Sequence, residues 1–385
     1  MKLFKSLLVA PATLGLLAPV AATANEVTIS DFTPAEQLAI TNSRVDGLEA
    51  RLNNFEAGSF SETTTASFSV DFGVGAVDGK GVTNSVTGSS TTRDEGLQAV
   101  YGFQIDLNTS FTGEDSLDIS IDAGNGSSTG ALSELDLNGY SKTSVGDADE
   151  LTVDGISYTF PLGSATAFIG DNTDGSMLFT TACVYGGPSN TLDDCANVNS
   201  GITGGGVSIG AAYDFGSGFT IAGGAQFVET GIADKEEDDA YAVNVAYTAD
   251  SYGVSLTYAN VESGAQNDSY TALNGYYSFD NGLNISAGFE FGSLDVASAD
   301  ADETESFFIG INGEVGPGEL GAALGTAGTM TEASGVMPEQ LMYEAYYSYP
   351  VNDGMTITPL IYTIEGTSAS DMDETGVMVK TSFSF

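Results

Sequence analysis

Few residue types in this chain could do chemistry. The 385 residues include 53 Asp and Glu against 9 Lys and Arg, a formal charge of −44, with two Cys and no His or Trp. Without His there is no imidazole base, no Ser–His–Asp triad and no His-ligated metal. Nine bases cannot supply the positive footprint that nucleic acid requires. What remains is electrostatics and one pair of thiols. Cys183 and Cys195 lack the CxxC spacing of a redox centre, and in an oxidising compartment they are expected to form a disulfide. Closing so short a loop contributes roughly 3 kcal/mol in the chain-entropy view. The acidic runs at 234–239 (DKEEDD) and 300–305 (DADETE) lack the spacing of a calcium-binding loop and read as solvated loops. No metal, cofactor or enzymatic role is expected.

The elements that must position the other acids are strands. From residue 60 onward, apolar side chains recur at every second position. Phe68, Val70, Phe72 and Val74 do so, as do Leu97, Ala99, Tyr101, Phe103, Ile105 and Leu107, and again Val377, Val379, Thr381, Phe383 and Phe385. Successive side chains of a strand point to opposite faces, so each strand has one apolar and one polar face. The pattern predicts sixteen strands, at about 66–77, 95–108, 115–123, 156–161, 165–170, 204–215, 218–228, 240–249, 252–262, 269–279, 282–292, 305–315, 319–325, 340–350, 354–364 and 375–385. Short turns rich in Gly, Asn, Asp and Pro alternate with long acidic loops, which predicts a transmembrane β-barrel over 59–385. Strands near ten residues suit a tilted bilayer crossing. Tyr101, Tyr213, Tyr247, Tyr258, Tyr277, Tyr349 and Tyr362 suit an interfacial girdle, and a bulge is expected around Pro359. The outward Phe383 and Phe385 at the chain end are expected to serve barrel-insertion machinery.

By parity the opposite face carries Asp71, Asp106, Asp118, Asp122, Glu290, Glu314, Glu344 and Lys380, seven acids and one base. A barrel of about sixteen strands leaves an aqueous lumen, and an acidic lumen concentrates cations. The third long loop, 171–203, holds both Cys with Asp171, Asp174, Asp193 and Asp194. By analogy with general diffusion porins it is expected to fold inward as a stapled constriction.

Ahead of the strands, Lys2 and Lys5, the apolar run Leu7–Leu17 and Ala22-Thr23-Ala24 read as a secretory signal over 1–24. Segment 25–58 reads as a short helix capped by Thr33, with Pro34 at its first position and Glu36 completing the cap. Leu38, Val45 and Leu52, with Thr41, Leu48 and Phe55, repeat at seven. That seam predicts a periplasmic coiled coil among copies of the chain, a homotrimer, or else a helix packed on its own chain.

Three stretches carry a family resemblance. RVDGLEARLNNFEAGSFSETTTASF (44–68) resembles the coiled coil and first strand of cyanobacterial outer-membrane porins related to the carbohydrate-selective porin family. YYSYPVNDGMTITPLIYTIE (346–365) with TGVMVKTSFSF (375–385) resembles their closing hairpin, and SYTFPLG (157–163) an internal strand and turn. Residues 25–33 are too few for that family's N-terminal surface-layer-homology domain. The resemblance implies passive diffusion of small hydrophilic solutes: sugars, inorganic ions or iron. Together these readings predict an all-β, sixteen-stranded antiparallel transmembrane barrel behind a short coiled-coil helix. It would lie in outer-membrane lipid and form a cation-preferring channel. The rival expectation is a non-conducting structural or adhesive surface protein.

Overall fold

The computed structural model describes residues 64–79, 96–126, 130–137, 151–232, 237–263, 266–296, 302–331, 340–366 and 373–385. The signal segment, the seam residues Leu38, Val45, Leu48, Leu52 and Phe55, and the bases Lys80, Arg93, Lys142 and Lys235 lie outside the described residues.

The described residues form one antiparallel sheet. Its strands are β1 (Thr64–Asp78), β2 (Gln98–Thr109), β3 (Ser116–Gly124), β4 (Thr152–Leu162), β5 (Ala165–Asp171), β6 (Val207–Asp214), β7 (Phe219–Phe227) and β8 (Asp239–Thr248). They continue with β9 (Tyr252–Ser263), β10 (Gln266–Ser278), β11 (Leu283–Ser293), β12 (Glu303–Val315), β13 (Gly318–Thr326), the two-residue β14 (Met330–Thr331), β15 (Leu341–Asn352), β16 (Met355–Ile364) and β17 (Glu374–Ser384). β14 pairs with the start of β12. Each of the other sixteen strands pairs with the strands before and after it, and β17 returns to β1, so the ring is closed. Closure removes every unpaired sheet edge. The closing seam is double-bonded: the Phe68 amide donates to the Phe385 carbonyl at 2.9 Å and the Phe385 amide to the Phe68 carbonyl at 3.0 Å. Their rings stack at 5.6 Å.

Alternation along each strand becomes rows across the sheet, because directly paired residues share a face. Phe72 pairs with Tyr101, Val243 with Tyr258, Leu256 with Leu273, Phe289 with Phe307, and Ile309 with Leu324. All lie on the outer face. At the short-turn end, ring pairs follow one another along that face: Tyr213–Phe215 at 4.8 Å, Phe219–Tyr247 at 4.6 Å, Tyr247–Tyr252 at 5.8 Å and Tyr277–Phe279 at 4.7 Å.

Two expectations on β16 are corrected. Tyr362 is no girdle residue: it faces inward, 1% exposed, and donates to Glu374 at 2.9 Å. β16 is apolar on both faces, Ile357 and Ile361 outside, Leu360 and Tyr362 inside, so alternation could not assign its sides. The bulge is not at Pro359 either. Register with β15 stays constant past Pro359 and shifts only between Pro350 and Asn352, beside the turn. Pro359 lacks an N–H, which interrupts the ladder without adding a residue. A second irregularity falls between Ser120 and Ile121 opposite β4, where Asp154 is the extra residue.

Candidate functional site: the barrel interior and its inward loops

Three consecutive steps of an extended chain carry the third long loop, residues 172–206, across the inner wall. The Thr180 amide donates to Asn244 Oδ1 on β8 at 3.1 Å, the Ala182 amide to Ser255 Oγ on β9 at 2.9 Å, and the Val184 amide to Ser286 Oγ on β11 at 3.0 Å. Tyr185 then donates its hydroxyl to Glu344 Oε1 on β15 at 2.6 Å, and the Ser189 amide donates to Glu344 Oε2 at 3.0 Å. On the return path the Cys195 carbonyl accepts from Asn274 Nδ2 at 2.7 Å. The Asn199 and Ser200 amides both donate to Glu290, at 3.0 and 2.7 Å to Oε2, joined by the Ser200 hydroxyl at 2.7 Å. The Cys183–Cys195 disulfide ties the outgoing and returning limbs together.

Glycine on the wall makes this approach possible. A Cβ on Gly288 would lie 1.8 Å from the Cys195 carbonyl oxygen, and one on Gly224 would lie 1.8 Å from the Gly175 carbonyl oxygen.

A second inward segment, residues 130–137 from the β3–β4 connection, lays Leu135 and Leu137 over Gly73 and Gly102. Its Glu134 carboxylate accepts from the Thr191 amide at 3.2 Å and the Thr191 hydroxyl at 2.8 Å. Leu135 and Leu192 from the two segments join Tyr185, Phe308, Met342, Tyr346, Tyr362 and Met378 in an apolar core inside the ring. The barrel therefore has its packed interior on the β12–β17 side and between its two inward segments.

The acids divide into two groups. Asp71, Asp106, Asp118 and Asp122 face inward on β1–β3, as their register requires. Asp106 accepts from Gln104 Nε2 at 2.7 Å and Ser120 Oγ at 2.8 Å, and Asp122 from Thr152 Oγ1 at 2.8 Å. Asp118 accepts from Asn108 Nδ2 at 2.5 Å and Ser116 Oγ at 2.7 Å. These short side-chain partners hold the carboxylates upright along one wall. Beside them a cavity of about 320 Å³ is lined by Asp118, Ser120, Asp154, Asn172 and Asp174. A smaller one of about 100 Å³ is lined by Asp71, Gln104, Asp122 and Asp136.

The second group does something else. Glu290 and Glu344 also face inward, but they are 1% and 3% exposed beneath the loop. They are loop anchors and not open lining, because the loop's amides consume their oxygens. Glu314 sits in the inward register near the β12–β13 turn, opposite Glu319. Asp171 ends β5 on the same face as Ile169, the outer face, and so is not part of the inward loop. Asp174, Asp193 and Asp194 are in that loop. Desolvation inside the barrel pushes the Asp193 carboxyl up to about 6, with the nearby Asp136 and Glu134 charges adding to it and Lys380 opposing. Desolvation, with Asp193 and Glu290 nearby, pushes Asp194 up to about 7 against the Ala196 amide bond, which favours its charged form. Phe383 faces outward beside Phe72, ring to ring at 6.2 Å. Lys380 is the only basic side chain among the described residues; it faces inward on β17, with its Nζ 3.7 Å from Asp71 Oδ2.

Strand parity did not single out Glu134, Asp136 or Asp154. Asp154 occupies a bulge, where alternation fails. The signal for Glu134 and Asp136 was the run ALSELDL: three leucines in a long, otherwise polar connection must find cover, and the interior supplies it.

The fold and interior define a closed sixteen-stranded antiparallel β-barrel with inward-folded loops. No family model matches this sequence, and no curated protein matches it. Solved structures do resemble its fold. A loop-deletion mutant of OmpT, an outer membrane protein of Vibrio cholerae, superposes with a TM-score of 0.58 at 11% identity, over 84% of this chain and 100% of that one. Pseudomonas putida OprB gives 0.56 at 11%, over 84% and 94%. A mutant of the Rh. blastica porin gives 0.54 at 12%, over 84% and 100%. At such identities the likeness is one of fold.

Proposed function

We propose that this chain is an outer-membrane porin, a water-filled channel for passive diffusion of small hydrophilic solutes that prefers cations. The observation carrying this reading is the distribution of charge inside a closed barrel. Asp71, Asp106, Asp118 and Asp122 line one wall, Asp136, Asp174 and Asp193 face the interior from connections, and one base stands among them in the described residues. Anion pores need rings of Arg or Lys, and an acidic passage enriches cations while repelling anions. The two inward segments make the passage eccentric, running along the β1–β5 wall, and the disulfide-tied loop is its constriction. The fold shared with porins supports the reading, as does the resemblance to cyanobacterial porins at residues 44–68, 157–163, 346–365 and 375–385. Assembly as a homotrimer through the N-terminal helix, export by a cleaved signal and insertion guided by Phe383 and Phe385 belong to the same proposal.

Purified protein in a planar bilayer tests it. Discrete ohmic steps with a reversal potential of the cation-selective sign are the expected result; a chloride preference would defeat the selectivity. The apolar core within the ring favours a second reading, a non-conducting surface protein, which would give no steps at all.

A further inference from the structure

Lys380 is the only positive side chain among the described residues. It faces inward on β17, directly opposite Gly73 on β1 and Thr358 on β16. Leu135 of the second inward segment lies over Gly73, so Lys380 stands where that segment meets the wall. Its Nζ is 3.7 Å from Asp71 Oδ2, with the two side chains 24% and 28% exposed. The pair is therefore partly solvated and is not sealed in the apolar core. Asp71 also lines the small cavity with Gln104, Asp122 and Asp136. Among the described residues Lys380 is also the cation that favours the charged form of Asp193 on the third loop. Its charge is therefore felt both by the acidic wall, at Asp71, and by the third loop, at Asp193.

We infer that Lys380, held by Asp71, is a selectivity-determining residue of the passage, the one positive charge among the described residues and a limit on how strongly the channel prefers cations. The inference rests on the channel reading and deepens it. Together Lys380 and Asp71 contribute no net charge beside the small cavity that Asp71 lines. Removing the base leaves one negative charge there; removing the acid leaves one positive charge. Removing both restores neutrality. A unit charge a few ångströms from a passing ion, moderated by salt, changes relative permeability by about two- to fivefold.

The experiment compares wild type, Lys380→Met, Asp71→Asn and the double variant by reversal potential in a potassium chloride gradient across a planar bilayer. Lys380→Met is expected to raise the potassium-to-chloride permeability ratio and Asp71→Asn to lower it. The double variant should return close to wild type. Opposite shifts with restoration are not what general loss of packing produces, and unaltered step conductance in the double variant controls for misfolding. If both single variants conduct with the wild-type reversal potential, or move it in the same direction, the assignment of Lys380 is overturned while the channel reading stands. If wild-type protein passes no current, the channel reading falls and takes this inference with it.

Discussion

The Glu290 carboxylate, 1% exposed, accepts from the Asn199 amide, the Asn199 side chain at 2.8 Å, the Ser200 amide and the Ser200 hydroxyl. Hydrogen bonds to a charged acceptor are stronger than neutral ones, and a buried donor left without a partner costs its full desolvation. Glu290→Ala strands two backbone amides, so loop docking should weaken by about 1–3 kcal/mol. Limited proteolysis of folded barrels checks this: cleavage within 190–200 should accelerate, and cutting at the wild-type rate would show that the loop does not depend on this anchor. Gly288 tests the same contact from the steric side. A methyl group there would sit 1.8 Å from the Cys195 backbone oxygen, which can yield only if the loop moves. Gly288→Ala should therefore loosen the loop with every hydrogen-bonding group intact, seen as a lower midpoint for loop opening by hydrogen exchange. At this scale the sequence was only partly legible. Parity placed Glu290 on the inner face, but nothing in β11 says that a loop from β5 will cover it. That contact joins residues about 90 positions apart.

Between residue and barrel stands the third loop, whose stability should depend on pH with a definite sign. In the docked loop the carboxyls of Asp193 and Asp194 are pushed from an ordinary 3.8 up to about 6 and about 7. The groups facing them are Asp136, Glu134 and Lys380 for Asp193, and Asp193, Glu290 and the Ala196 amide for Asp194. A docked loop that holds protons more tightly than a free one is favoured at low pH. Docking should be strongest below pH 4 and should weaken as pH rises through 4 to 7. Open-channel current noise at pH 5 and pH 8 measures this, with greater noise expected at pH 8. Asp194→Asn, which cannot ionise, should reduce the difference. Quieter currents at pH 8 would contradict the direction. The disulfide bears on the same element. Cys183→Ser with Cys195→Ser frees the two limbs, so conductance and the largest excluded sugar should both increase; unchanged values would remove the loop from the constriction. The loop was legible from its acids and its cysteine pair. Its path was not, because the path depends on inward Ser, Asn and Gly positions that look like ordinary polar-face residues.

Across the whole molecule, the alternation that reveals the strands also decides what surrounds them. The sixteen long strands and most of their facings came through in the sequence because a period of two needs no long-range information. β16 resisted because both of its faces are apolar, one outside and one against the inward core. The outer face is a continuous apolar surface in which Leu256, 49% exposed, lies between Val245 and Leu273. Tyr252, 44% exposed, stands at the turn end of the same strand within the aromatic row. In water these two positions would tolerate a charge equally. In a bilayer they differ by depth: Arg near the midplane costs about 2–4 kcal/mol and close to the interface about 0–1 kcal/mol. Leu256→Arg should therefore destabilise liposome-folded protein far more than Tyr252→Arg, as read by denaturant titration against wild type. Equal and small effects at both sites would mean that the outer face does not meet lipid. A large cost confined to Leu256 ties the two faces together: the same alternation that puts oil-soluble side chains outside puts the carboxylates of β1–β3 within, where Lys380 stands 3.7 Å from Asp71 and polar side chains donate to Asp106, Asp118 and Asp122.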